Sequence, residues 1–247
     1  MATARSRRST AVWICVATSD AGLRVTSASA TAAAAPTAQK PARPRPLGPR
    51  IGRALKPVVF LALLAPAVWL TYAVVTGQID GDVVKILEIE TGTYALRTLA
   101  LTLAITPLRQ LTGWAWLATW RRMIGLFVFF YATLHMMIYF GLDLEMRFGE
   151  IWTSIIKRPY ITIGMISWLM LVPLAVTSLN AMARKLGGAK WKRLHQLTYV
   201  VAITATTHYL WAVKKDTFWP LVYFGLFAAL LVSRVVERRR LKSAEAR

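Results

Sequence analysis

The sequence predicts an all-α integral membrane protein, a bundle of six transmembrane helices with both termini cytoplasmic. Three observations lead there. Of the 247 residues, 56% are hydrophobic and only 17% are charged, which is too apolar for a soluble domain of this length. The apolar residues gather into six stretches, most of them near the ~20 residues that cross a hydrocarbon core. The formal charge of +20 sits mainly at the two ends of the chain and not within the stretches. That placement suits cytoplasmic flanks and sets aside the nucleic-acid partner that so basic a soluble chain would suggest.

The elements follow in order. Residues 1–50 are rich in Ala, Thr, Ser, Arg and Pro, and their one apolar patch, Val12 to Ala17, is too brief for a signal-peptide core or a span. Ten Lys or Arg precede residue 57 against the single Asp20, and the segment is expected to be a disordered basic tail. Its Arg and Ser content also admits a transit-type segment. The transmembrane domain, residues 51–235, carries apolar stretches at about 57–75, 93–108, 121–141, 160–179, 194–212 and 218–235. The second is short, and an earlier start near Val83 is open. Pro66, Pro107 and Pro173 fall inside or at the end of stretches, where membrane helices tolerate them. Residues 236–247 close the chain as a basic cytoplasmic tail.

Connection charges set the orientation. After the second and fourth stretches come Arg109, Arg121, Arg122, Arg184, Lys185, Lys190, Lys192 and Arg193, with no acid, so these face the cytoplasm. The connections after the first, third and fifth carry Lys85, Arg147, Lys157, Arg158, Lys214 and Lys215 against eight acids, among them Asp80, Asp82, Asp143 and Asp216, and face outward. The chain is expected to be a multi-pass membrane protein.

Cys15 is the one cysteine, so an internal disulfide, a cysteine-ligated iron–sulfur cluster and covalent haem attachment are excluded. The three histidines, His135, His195 and His208, all fall within or at the edge of the apolar stretches. An imidazole in hydrocarbon is costly without a partner, which makes a functional role the default. A helix-to-helix hydrogen bond is the plainer alternative. At ~1.5 Å per residue, His135 lies about 21 Å and His208 about 26 Å from the cytoplasmic start of its stretch, whereas His195 lies about 6 Å along. His135 and His208 therefore share a depth and can grip one iron from opposite sides. His195 and His208 cannot, being about 20 Å apart along one helix. Two imidazoles on haem iron leave no open position, which suits electron transfer. His195 would serve a second haem with an unidentified partner ligand, or a quinone or flavin.

Arg109, Arg121, Arg122, Lys192 and Arg193 can meet haem propionates, a flavin phosphate or lipid phosphates. The Trp residues at stretch ends, such as Trp114 and Trp219, are explained by interfacial anchoring, and Met136 and Met137 by packing. A rival function is a small transporter whose histidines relay protons or bind a metal ion. It requires a buried acid, and no Asp or Glu falls inside the third or fifth stretch. A purely structural anchor for a partner enzyme would leave the histidines idle.

Separate segments carry a family resemblance: Thr91-Gly92, Thr106-Pro107-Leu108-Arg109, Arg121-Arg122 with Gly125-Leu126, Ala132-Thr133-Leu134-His135, Arg158-Pro159-Tyr160 with Gly164, Leu194-His195, and His208-Tyr209-Leu210-Trp211. From about residue 57 to 235 the chain resembles the MsrQ (YedZ) family, haem-binding membrane subunits with a ferric-reductase-like transmembrane domain. The resemblance implies haem b, one or two, on His135, His195 and His208. It implies electrons drawn from the quinone pool or a cytosolic flavin reductase and passed to a periplasmic molybdopterin methionine sulfoxide reductase, where catalysis proper takes place. It also implies a flavin mononucleotide (FMN), for which the sequence offers no phosphate-binding loop. Thr93 stands where family members carry Arg.

Overall fold

The computed structural model describes residues 48–213 and 217–245, and all regular structure among them is helical. A short helix, α1 (Gly48–Ala54), leads into α2 (Lys56–Val75), which has proline in its first turn and Pro66 inside it. Only Leu70 and Ala73 of α2 are buried, and Val58, Leu61, Val68 and Trp69 stand exposed. On so apolar a helix that face meets lipid.

α3 (Val83–Thr112) begins where the Asp82 carboxylate accepts the Lys85 backbone N–H at 3.1 Å. It ends at Gly113, whose φ of 71° only glycine adopts readily, with its N–H bonded to the Arg109 carbonyl. Many of its buried positions are threonines. Thr91, Thr98 and Thr102 donate their hydroxyls to carbonyls four residues back, so these three polar side chains are satisfied within the helix.

A 3-10 turn (Ala115–Thr119) leads into α4 (Arg121–Ile138), whose last turn widens into a π-helical segment, Tyr139–Asp143. α5 (Phe148–Lys157) exposes Phe148, Trp152 and Ile156 at four-residue spacing, one apolar stripe. α6 (Pro159–Thr177) starts on a proline and contains Pro173. Two short helices, α7 (Asn180–Leu186) and α8 (Gly188–Leu194), precede α9 (Leu197–Ala212) and α10 (Phe218–Glu245).

α3 packs most extensively on α4, and α6 on α9. Leu96, Leu99 and Leu103 of α3, Val128 of α4, Leu171 of α6, Val201 and Ala202 of α9 and Phe227 of α10 form the shared core. A second cluster, Ile105, Leu117 and Ile124, lies under Trp116 and Trp120, and the Trp120 indole ties α1 down through the Gly52 carbonyl at 2.8 Å.

Four segments are by themselves long and apolar enough to cross a membrane: Ile51–Val75, Arg121–Asp143, Pro159–Thr177 and Phe218–Glu237. The other two expected spans fall on α3 and α9. α3 does begin near Val83, but its first turns carry Lys85, Glu88 and Glu90, and α9 is only 16 residues long. Several positions on each, among them Leu99, Leu103, Val201 and Ala202, are buried by neighbouring helices, where low hydropathy is tolerated. Of the expected 1–50 tail, residues 1–47 lie outside the described residues, and residues 48–50 belong to α1. α10 runs on through the basic segment after residue 235 to Glu245. Lys214, Lys215 and Asp216, used for orientation, lie outside the described residues.

Candidate functional site

His135 stands on α4 and His208 on α9, and the packing brings their rings to 6.2 Å between centres with planes at 77°. Both are seated alike. Nδ1 of His135 meets the Glu88 carbonyl of α3 at 2.9 Å, and Nδ1 of His208 meets the Tyr160 carbonyl of α6 at 2.6 Å. A carbonyl only accepts, so each neutral ring carries its proton on Nδ1 and keeps a lone pair on Nε2. This is how metal-ligating histidines are oriented: the second nitrogen is tied to a carbonyl and the first is left for the metal.

Glycine opens both seats. Four residues beyond each accepting carbonyl stand Gly92 and Gly164, over which the imidazoles lie. A Cβ on Gly92 would lie 3.2 Å from His135 Nδ1, and one on Gly164 only 2.8 Å from His208 Nδ1. α3 with α4, and α6 with α9, thus repeat one arrangement of glycine, carbonyl and imidazole.

Metal-to-imidazole bonds are about 2 Å, so two rings gripping one iron from opposite sides stand about 6 Å apart between centres. The His135–His208 spacing fits. Among the described residues no group of three or more His, Cys, Asp or Glu is placed to hold a metal ion. A pair of neutral imidazoles suits a macrocycle that brings its own equatorial nitrogens better than it suits a bare ion.

His195 is placed apart, at the break between α8 and α9 and not inside a continuous span. Its Nδ1 lies 3.1 Å from the Trp191 carbonyl of its own helix, its Nε2 3.5 Å from the Ser178 hydroxyl, and its ring stacks on Trp191 at 3.9 Å. Arg121 and Arg122 act on it electrostatically, and Arg122 also hydrogen-bonds the Asn180 side chain. Arg121 is about 21 Å along α4 from His135. Phosphates remain suitable partners for Arg121 and Arg122, whereas propionates of a macrocycle at the His135–His208 pair are out of their reach. Arg109 is exposed on the last turn of α3, farther still from that pair.

Several residues escaped the sequence analysis. Gly92 and Gly164 appeared there only as parts of segments, although a signal was present: the accepting carbonyls precede their histidines by nearly equal separations, 47 and 48 residues. Arg97 was passed over although it lies inside the second stretch, where its guanidinium sits 4.9 Å from the Tyr94 ring centre. The residue whose backbone carbonyl seats His135 is itself an acid. Glu88 is buried on α3 with Oε2 on Lys85 at 3.0 Å and Oε1 without a hydrogen-bond partner.

Residues 91–206 match the family described as the ferric reductase like transmembrane component. The chain is 43% identical over 198 residues to the protein-methionine-sulfoxide reductase heme-binding subunit MsrQ of Rhodospirillum rubrum, covering 80% of this chain and 94% of that protein. The chain belongs to the MsrQ family. The MsrQ of Xanthomonas campestris pv. campestris is 44% identical over 200 residues, covering 78% of this chain and 91% of that protein. The MsrQ of Xanthomonas oryzae pv. oryzae is 43% identical over 194 residues, covering 78% and 87%. Gly92, His135, Gly164 and His195 fall inside the ferric-reductase-like match, and His208 lies two residues past its end. Its apolar helices and ferric-reductase-like region make this MsrQ-family chain a membrane protein.

Proposed function

We propose that the chain is a haem b electron-transfer subunit of the bacterial inner membrane, with six crossings and both termini cytoplasmic. In this proposal it passes electrons from the quinone pool or a flavin reductase to a periplasmic, molybdenum-dependent methionine sulfoxide reductase. The observation that carries it is the pair of imidazoles with both Nδ1 atoms committed to carbonyls and ring centres 6.2 Å apart. His135 and His208 would hold a haem there through their Nε2 atoms, and the group would supply one-electron chemistry. The chain's own contribution is to fix the two tautomers, hold the rings rigid against glycine and surround them with apolar helices.

The donor side is assigned to the other end of α4, where Arg121, Arg122 and His195 offer cations and an imidazole to a quinol or to a flavin such as FMN. One haem is assigned and not two, because both nitrogens of His195 already have protein neighbours. Purified full-length protein is expected to show six-coordinate low-spin haem absorption, and His135→Ala and His208→Ala each to abolish it. Full haem retention by both variants refutes the pairing. The transporter alternative gains one observation, the buried Glu88 beside the seat of His135. It predicts a colourless protein, so the same spectrum decides between the two.

A further inference from the structure

Where α4 finishes and α6 begins, the bundle holds polar groups that the histidine seats do not use. Tyr139 lies one turn beyond His135, on the side of the helix that His135 occupies, and its hydroxyl is buried with no partner at good hydrogen-bond geometry, the Ser154 and Arg158 side chains being its polar neighbours. Such a group carries a desolvation cost until something fills it. Arg158, exposed at the start of α6, makes no ion pair among the described residues. It interacts with the phenols of Tyr139 and Tyr160. The Tyr160 ring stands 6.2 Å from that of His208, and its carbonyl holds the same histidine. Contacts thus run from Arg158 through Tyr160 to one imidazole, and through Tyr139 along α4 to the other. Lys85 is already paired with Glu88, and Asp143 adds a negative charge that acts on both Lys85 and Tyr139. Lys157, exposed at the end of α5, makes no ion pair among the described residues either, but the guanidinium of Arg158 is the one that reaches the two phenols.

We propose that Arg158 and the Tyr139 hydroxyl form a carboxylate seat at the rim of the His135–His208 cleft, holding a propionate of the clamped macrocycle. The seat rests on the haem-binding function proposed above. Its chemistry is specific: a planar guanidinium meets a carboxylate with two parallel N–H donors, and the phenol adds an O–H donor. It differs from a general basic patch, which would accept phosphates equally well.

The test reconstitutes the full chain, stripped of haem in detergent, with haemin or with haemin dimethyl ester, which keeps the iron and ring but masks both carboxylates. Binding is read from low-spin absorption. The parent is expected to prefer haemin by at least about tenfold, and R158Q and Y139F each to lose much of that preference while binding the ester as the parent does. R158K, which keeps the charge and loses the fork, should fall between. Unchanged preference in R158Q and Y139F, or equal loss of acid and ester, overturns the seat. A missing low-spin spectrum with both compounds overturns the histidine pairing itself, and the seat with it.

Discussion

Replacing Gly164 by alanine tests the histidine seat most directly. The added Cβ would lie 2.8 Å from Nδ1, 2.9 Å from Cε1 and 3.3 Å from Cγ of His208, so the ring must retreat by about 0.6 Å to reach ordinary contact. That retreat pulls Nδ1 from the Tyr160 carbonyl, now 2.6 Å away, and swings Nε2 off its axis. Disturbing the groups that orient a metal ligand typically costs about 10–100-fold in affinity, or about 1.4–2.8 kcal/mol. The sign is diagnostic, because a glycine merely sitting in an exposed helix interior gains about 0.8–1 kcal/mol on becoming alanine. Gly225 on α10, with nothing near its missing side chain, supplies that control. Gly92→Ala should be milder than Gly164→Ala, since its Cβ meets His135 at 3.2 and 3.3 Å. Haem-to-protein ratio and low-spin absorption of detergent-purified protein are the measurements, and the expected order of loss is Gly164→Ala, then Gly92→Ala, then Gly225→Ala with none. Parent-like haem retention in Gly164→Ala, or equal damage in Gly225→Ala, refutes the reasoning.

Further outcomes follow from the same geometry. With imidazole planes at 77°, the ferric form should give a strongly anisotropic low-spin EPR signal, because near-perpendicular ligands leave two iron d orbitals almost degenerate. A rhombic signal typical of parallel planes would show that the rings turn. His195→Ala should leave haem content and low-spin absorption intact, and loss of half the haem would reveal a second site. Tyr131, fully buried, donates its hydroxyl to the Leu63 carbonyl at 2.6 Å and so joins α4 to α2. Tyr131→Phe should lower stability by about 1 kcal/mol and Tyr131→Ala by about 3–5 kcal/mol in detergent unfolding. Parent-like unfolding of both would contradict this packing.

α2, α4, α6 and α10 are plain in the sequence because a bilayer demands long apolar runs and little else satisfies that demand. The start of α3 near Val83 is only an open option in the sequence, because its first turns, with Lys85, Glu88 and Glu90, are helical ahead of the apolar signal. The break at His195 is hidden for the opposite reason: Trp191 and Leu194 extend the apolar run of α9 backwards across a change of helix. Shared depth already put His135 and His208 at one level. The near-equal separations are a faint sign of their seats and do not identify them, because a glycine in a membrane helix has many explanations and only the approach of another helix shows which one applies. The same holds for Tyr139 and Arg158, which read separately as an aromatic residue near a span end and a loop cation.

His208 lies four residues from the end of α9, about 6 Å of helix, in a bilayer whose core is about 30 Å thick. In the proposed orientation a redox centre this shallow makes electron entry the long step and exit the short one. Most of the membrane voltage then falls between the cytoplasmic donor and the iron. An electron moving outward from a negative interior descends that voltage, gaining roughly 2.3 kcal/mol per 100 mV for a full crossing. An energised cell would thereby drive reducing equivalents outward and resist their return.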